Sequence, residues 1–203
     1  VRLENLGARD GAALAALLEA VPADPPYDVA LEPADPVAVL VREAGFEPYA
    51  TTFTASRAID GLPEGEPAEG VRLLTYTNEM ADRYEDAEFD ALDGMAIFKA
   101  MGRPTGYSQG AGYGDFTVAA LGEQIIGFCF TQVPEGIIWW LGVVPDQRRR
   151  GVGRMLIASA ARATRTAGGT HLLVEAEDTP EARGFLTALG FRIRGTRELL
   201  LRR

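Results

Sequence analysis

Between residues 143 and 156 the chain reads Val143-Val144-Pro145-Asp146-Gln147-Arg148-Arg149-Arg150-Gly151-Val152-Gly153-Arg154-Met155-Leu156. An apolar strand ends, an arginine-rich turn follows, and a helix opens across two glycines one residue apart. The first N–H groups of a helix have no intrahelical acceptor and carry partial positive charge. Glycines at 151 and 153 remove side chains that would hold phosphate oxygens away. Arg148, Arg149, Arg150 and Arg154 add guanidinium charge that persists at any physiological pH. The chemistry that suits such a run is the cradling of a pyrophosphate. Gly-x-Gly by itself is equally an ordinary strand-to-helix turn with solvated arginines. No Gly-Lys-Ser/Thr closes the run, which sets aside a nucleoside-triphosphate loop. The dinucleotide fingerprint needs a third spaced glycine in a parallel βαβ setting.

Other reactive residues are few. One cysteine, Cys129, offers no internal disulfide, and one histidine, His171, anchors no Cys/His zinc site. Both point to a reducing, cytoplasmic setting and a chemistry without metal. Cys129 lies in an apolar strand and reads as core, and Ser56, Ser108 and Ser159 form no nucleophilic pair with His171. The chain of 203 residues carries a net charge of −9, which argues against nucleic acid as the main partner. That charge is unevenly spread. The last 58 residues hold twelve arginines against six carboxylates, a balance of +6, and the first 145 carry −15. An anionic ligand on one side and a cationic one on the other would suit this split, as would arginines on solvated helix faces. No run of eighteen apolar residues suggests a membrane span, and the first residues lack the build of a signal peptide.

The elements that must position the arginine-rich turn follow from periodicity. Val71–Thr77 reads as a strand, and Asn78–Met101 as an acidic helix with Asn78 as N-cap. The segment 102–114, with five glycines and a proline, reads as a mobile loop. Strands are expected at 116–121, 124–132 and 137–144, joined by hairpin turns at Gly122-Glu123 and Pro134-Glu135-Gly136. A helix spans 151–167 and ends at Gly168-Gly169. A strand at 171–176 precedes a helix from Thr179-Pro180 to Leu189, stopped by Gly190, with threonine as cap and proline at the first helical position. Residues 191–201 give two short strands or one bent strand. This order makes a mixed α/β domain, mostly antiparallel, with one parallel strand–helix–strand crossover.

Two motifs in this frame resemble a known family, the GCN5-related N-acetyltransferases (GNAT). Its signature Arg/Gln-x-x-Gly-x-Gly/Ala matches Arg148-x-x-Gly151-x-Gly153, after a strand ending in Val-x-Pro. Its second motif, Asn-x-x-Ala, an aromatic pair, then Gly-Phe, is similar to Thr179-Pro180-Glu181-Ala182-Arg183-Gly184-Phe185-Leu186-Thr187-Ala188-Leu189-Gly190-Phe191. The resemblance covers residues 71–203 and implies the GNAT acyl-CoA N-acyltransferase fold, with acetyl-CoA as cosubstrate. It implies that the strand 137–144 splays from the strand 171–176. The pantetheine arm would then pair with the main chain of Leu141, Gly142, Val143 and Val144. Amides of residues 149 to 154, among them Val152, would hold the pyrophosphate. Thr179 and Phe185 complete the implied contacts, and Trp139 and Trp140 border either the acyl pocket or the core.

The departures are at the helix after 179. The usual Asn is Thr179, and the usual Tyr, which commonly protonates the leaving thiolate, is Leu186, which cannot donate a proton. No catalytic acid is therefore assigned. Tyr76, Glu79, Tyr107, Tyr113, Glu135 and Asp178 are candidate bases, each equally read as structural or solvated. The implied activity is direct acetyl transfer in a ternary complex to an amine of a small molecule or peptide. The alternative is a non-catalytic acyl-CoA-binding or interaction module. In the family the helices after the first strand border the acceptor site. Here Glu79, Asp82, Glu85, Asp86, Glu88, Asp90 and Asp93 crowd that segment, which suits a cationic amine or simply a solvated face.

Residues 1–58 repeat the C-terminal pattern at an offset of 145. Val29 falls on Val174, Glu32 on Glu177, Gly45-Phe46 on Gly190-Phe191 and Thr51 on Thr196. The order is again helix (11–20), strand (27–31), helix (35–44), strand (48–55). The expected organisation is a degenerate C-terminal half of a GNAT domain at 1–58, a linker at 59–70 and a complete domain at 71–203. Leu6-Gly7-Ala8 replaces the phosphate run, so the fragment should bind no cofactor. Fewer than about 60 residues bury too little to stand alone, so it should dock on its own chain or across a homodimer.

Overall fold

The computed structural model describes residues 2–3, 16, 28–32, 34–62, 68–101 and 114–202. Among the described residues, nine strands form one sheet: β1 (Arg2–Leu3), β2 (Asp28–Leu31), β3 (Phe46–Ala58), β4 (Val71–Thr75), β5 (Asp115–Leu121), β6 (Gln124–Gln132), β7 (Ile137–Val143), β8 (His171–Glu177) and β9 (Arg192–Arg202). Their spatial order is β1-β2-β9-β3-β8-β7-β6-β5-β4. Pairing is antiparallel except at β1/β2 and β7/β8. The helices are α1 (Val37–Glu43), α2 (Ala81–Leu92), α3 (Ala96–Met101), α4 (Val152–Thr166) and α5 (Pro180–Ala188). The mixed, mostly antiparallel sheet with a parallel β7–α4–β8 crossover is the expected architecture.

β5 and β6 are buried almost end to end because helices cover both faces there. Facing pairs Gly127↔Val143 and Phe128↔Gly142 set the register, so Gly127 and Gly142 point to opposite faces. A Cβ on Gly127 would meet Leu156 and Val152 of α4, and one on Gly142 would meet Ala91 of α2. The sheet is therefore sandwiched between α4 and α2. α4 supplies Val152, Met155, Leu156, Ile157, Ala160 and Ala161, the buried stripe its period predicts. Tyr84, Phe116 and Phe128 pack edge to face under α2, with ring centroids 5.1 and 5.3 Å apart.

Two expectations are corrected. The acidic segment is not one helix: a 3-10 turn at Asn78–Met80 leads into α2, and Asp93-Gly94-Met95 separates α2 from α3. Gly94 has φ +94°, a left-handed conformation that ends a helix. Asn78 is not the cap; extended Thr77 precedes the turn with no side-chain cap bond. Residues 192–202 form one strand with a bulge at Arg194, one of the two expected forms, and it pairs with β2 and β3. The expected helix at 11–20, apart from helical Ala16, and the glycine-rich loop, apart from Gly114, lie outside the described residues.

The sheet runs unbroken across the expected linker: β3 lies between β8 and β9 and pairs with both. Its registers repeat at an offset of 145. Thr52 faces Arg197, which is its own counterpart at that offset. Around that pair, Pro48↔Leu200 corresponds to Ala55↔Ile193, and Glu47↔Leu201 to Ser56↔Arg192. The bulges fall at Tyr49 and Arg194, again 145 apart. Val29↔Leu200 between β2 and β9 has its counterpart in Val174↔Ala55 between β8 and β3. Gly45 and Gly190, which end α1 and α5, have φ +86° and +78°. Val29, Leu31, Ala38, Val41, Phe46 and Leu200 form a second small core under α1, so this segment is covered within its own chain.

Candidate functional site

The site is built where β7 and β8 part. Their pairing is confined to Ile137↔Leu173 and Ile138↔Val174. Beyond Ile138, β7 keeps only its β6 neighbour. Val144 N–H donates to the Ile126 carbonyl at 3.0 Å, so by alternation Gly142 also faces β6, while Leu141 and Val143 turn their main-chain groups toward the gap. This is the expected splay. It leaves a short free strand edge of the kind an extended ligand can extend.

At the end of that edge lies the arginine-rich turn. Residues Pro145–Gln147 make one 3-10 turn, then Arg149 and Gly151 adopt left-handed φ values of +64° and +88°. Gly151 is the N-cap of α4, and no side chain caps the helix, so its opening N–H groups have no side-chain partner. A Cβ on Gly153 would approach Phe185 of α5 at 3.1 Å. Gly153 thus lets α5 close over the start of α4. The four arginines are exposed but not equivalent. Arg148 donates Nε to the Val143 carbonyl (3.0 Å) and an Nη to the Ala91 carbonyl (2.9 Å). Its guanidinium therefore ties α2 to the end of β7. Arg149, Arg150 and Arg154 form no hydrogen bond or ion pair among the described residues, which leaves their charge to solvent or an anion.

Opposite, α5 opens as its sequence requires. Thr179 accepts from Ala182 N–H at 3.1 Å, and Pro180 occupies the first position. Leu186 is 3% exposed and sits in the main core, with no polar contact. The Tyr expected there by resemblance is thus replaced by a packed aliphatic side chain. Asp178 pairs with Arg183, whose guanidinium also lies 4.9 Å from the Phe53 ring. The hydrogen bond from Arg183 holds the Asp178 carboxyl below its ordinary value.

The remaining candidates do not converge on the gap. Tyr76 is buried in the aromatic cluster, Glu79 and Glu135 are exposed on turns, and Tyr107 and Tyr113 lie outside the described residues. The His171 side chain is exposed, and its ring Nδ1 is hydrogen-bonded to Thr170 Oγ1. Cys129 is buried, and burial pushes its thiol up to about 12, so it is no nucleophile. Trp139 and Trp140 take different roles, Trp139 being the extra residue of a bulge opposite Phe130/Thr131. Trp139 is exposed and donates to Gln132, whereas Trp140 is half-buried and packs edge to face on Phe98 at 5.3 Å.

Sequence reasoning did not single out Glu88. Of the seven carboxylates in the acidic segment, six are exposed and Glu88 is 5% exposed. Its Oε1 accepts from Tyr84 Oη at 2.5 Å and from Trp140 Nε1 at 2.6 Å. Burial and that carboxylate raise the Tyr84 phenol far above its usual range, so Tyr84 remains a donor. The signal was present: Glu88 lies four residues after Tyr84 and four before Leu92, within the apolar stripe of α2.

Comparison with known proteins supports the same reading. Residues 112–193 match the family model described as an acetyltransferase (GNAT) domain. No curated protein sequence matches the chain. A GCN5-related N-acetyltransferase from Sphaerobacter thermophilus superposes with a TM-score of 0.66 at 15% identity, covering 92% of this chain and 63% of that one. One from Kribbella flavida gives 0.65 at 17% identity, covering 100% and 77%. A tandem GNAT protein from the clavulanic acid biosynthesis pathway gives 0.62 at 15%, covering 87% and 63%. The chain thus spans somewhat less than two thirds of the first and third of these. Motif, topology and family model agree: this chain has the GNAT fold, and its residues 112–193 match the GNAT acetyltransferase domain model.

Proposed function

We propose that the protein transfers an acetyl group from acetyl-CoA to an amine, by direct attack in a ternary complex. The observation that carries this is the free β7 edge running into an uncapped α4 N-terminus. The residues fit the cosubstrate. Main-chain groups of Leu141 and Val143 would hold an extended arm, and the N–H groups of residues 149–154 would hold a pyrophosphate. Gly151 would keep that surface bare, Gly153 makes room for Phe185 of α5, Arg149, Arg150 and Arg154 would supply charge, and Thr179 and Phe185 would close the far side. Acetyl-CoA supplies the activated acyl group as a thioester. With Cys129 buried and its thiol unreactive, the chain's own work is to bind, orient and exclude water, and positioning alone gives large accelerations. The degenerate half-repeat serves as scaffold: its strand β3 backs β8. A cytoplasmic setting and a homodimer remain part of this reading.

A second reading, an acyl-CoA-binding module without turnover, is favoured by one feature, the buried Leu186. Calorimetry with acetyl-CoA, followed by thiol release against an amine panel, separates the two. Transfer requires both binding and amine-dependent thiol release. Binding without release on any amine supports the module, and absence of binding refutes both. Gly153→Val should weaken acetyl-CoA more than Arg150→Ala, because a branched side chain at 153 would meet Phe185 and shift the opening turn of α4 that carries the amides.

A further inference from the structure

Strand β3 of the half-repeat reaches the helix that faces the arginine-rich turn. Asp178 and Thr179 lead from β8 into α5, and β3 holds that step by two contacts. The Asp178 N–H donates to the Thr51 carbonyl at 2.7 Å. Two residues on, Phe53 is fully buried, and the Arg183 guanidinium of α5 lies 4.9 Å from its ring centre. That distance is within cation–π range. The ring takes the face of the guanidinium and leaves its edge to Asp178, which accepts from both Nε and an Nη. Phe53, Arg183 and Asp178 thus form a chain from the half-repeat to the residue before Thr179, the α5 cap. The other half makes this exchange differently. At the offset of 145, Phe53 corresponds to Glu198. Glu198 of β9 also receives an arginine from the opposite half, Arg42 of α1, but as an ion pair. A carboxylate at 53 would compete with Asp178 for Arg183, whereas an aromatic ring does not. The aromatic form stands in the half that carries the arginine-rich turn.

We infer that Phe53 is a positioning residue of the site: through Arg183 and Asp178 it fixes the opening of α5, and so sets how tightly Thr179 and Phe185 close on acetyl-CoA. The fixing of α5 stands on the contacts alone; its consequence for acetyl-CoA rests on the proposed function. The half-repeat then governs cosubstrate affinity without touching the cosubstrate.

The test compares Phe53→Leu with Phe46→Leu in the full chain. Both remove a buried ring from β3, but Phe46 lies in the small core under α1. Three quantities are read: the Arg183 Hε resonance, the 15N order parameters of Asp178, Thr179 and Ala182, and acetyl-CoA affinity by calorimetry. F53L should move the Arg183 signal downfield as ring shielding is lost, lower the order parameters and weaken acetyl-CoA about fivefold. F46L should leave the signal and order parameters in place and the affinity within about twofold, whatever it does to Tm. Unchanged affinity in F53L, or equal weakening by both variants, overturns the inference. Arg183→Met, on a part-exposed side chain, reads the same contact from α5. Its effect on acetyl-CoA should be non-additive with F53L and additive with F46L; additivity with F53L also overturns the inference. Absence of acetyl-CoA binding by the native chain removes the proposed function, and the order parameters then decide the fixing of α5. Lowered in F53L alone they support it, and unchanged they overturn it.

Discussion

Gly142→Ala tests the packing that holds α2 against the free strand. A methyl group at 142 would lie 2.4 Å from Phe128 Cζ, 2.9 Å from its Cε1 and 3.0 Å from Ala91 Cβ. Phe128 is fully buried and wedged against Tyr84, so its ring has no empty space to enter. The strain must lift α2. Overpacking of this kind costs about 1–3 kcal/mol, and contacts this short belong in the upper half of that range. Removing a glycine from a strand returns about 0.5–1 kcal/mol through the unfolded chain. The net loss is roughly 1.5–2 kcal/mol, which for a chain of this length lowers Tm by roughly 3–8 °C. Scanning calorimetry reads the shift, and Phe128→Leu in the same chain should restore at least about 1 kcal/mol of it as a coupling energy. An unchanged Tm in G142A, or strict additivity with F128L, would refute the claim that α2 is seated on bare backbone here.

Arg148→Ala should lower Tm through loss of the Ala91 and Val143 ties, whereas Arg150→Ala should leave Tm unchanged and instead reduce the salt dependence of acetyl-CoA binding; the two variants are compared by melting and by calorimetry at two ionic strengths. Cys129 should resist iodoacetamide at pH 8 in the native state and react fully once unfolded, as followed by mass spectrometry, since its thiol is pushed to about 12 by burial. The Asp178 carboxyl is depressed below its ordinary 3.8 by Arg183. Its contribution is therefore complete above the unfolded value and lost as the pH falls through the lower native one. Asp178→Asn should accordingly melt lower than the native chain at pH 7, with the gap closing in acid; a gap that persists at pH 2 contradicts the pairing.

What the sequence made legible were the elements with strict local periods. α4 and β5–β7 lie within a residue or two of their expected bounds because apolar spacing and turn glycines both mark them. The splay was expected only through the family resemblance that Arg148, Gly151 and Gly153 carry, whereas the left-handed turn at Gly151 is one that glycine spacing itself betrays. The kink at Gly94 was hidden because one glycine in a helical pattern is as often tolerated as not. Glu88 was hidden by its neighbours: in a row of carboxylates the expectation of solvation is right six times in this segment. The insertion of β3 between β8 and β9 leaves no local trace, because strand partners more than a hundred residues away are chosen by the whole sheet.

That insertion has a consequence for biosynthesis. β3 has both neighbours, β8 and β9, in the last third of the chain. At a synthesis rate of about 5–20 residues per second, its partners emerge roughly 7–30 s after it does. For that interval a strand of 13 residues carrying Phe46 and Phe53 has no permanent place. Nor can the C-terminal portion finish first, because β8 and β9 meet only through β3. Chain closure is therefore a late, nonlocal event, and the contact order it imposes makes folding slow relative to helical proteins of this size. A nascent chain stalled before β9 would present two unsatisfied strand edges to its neighbours, which is where holding chaperones would be expected to act.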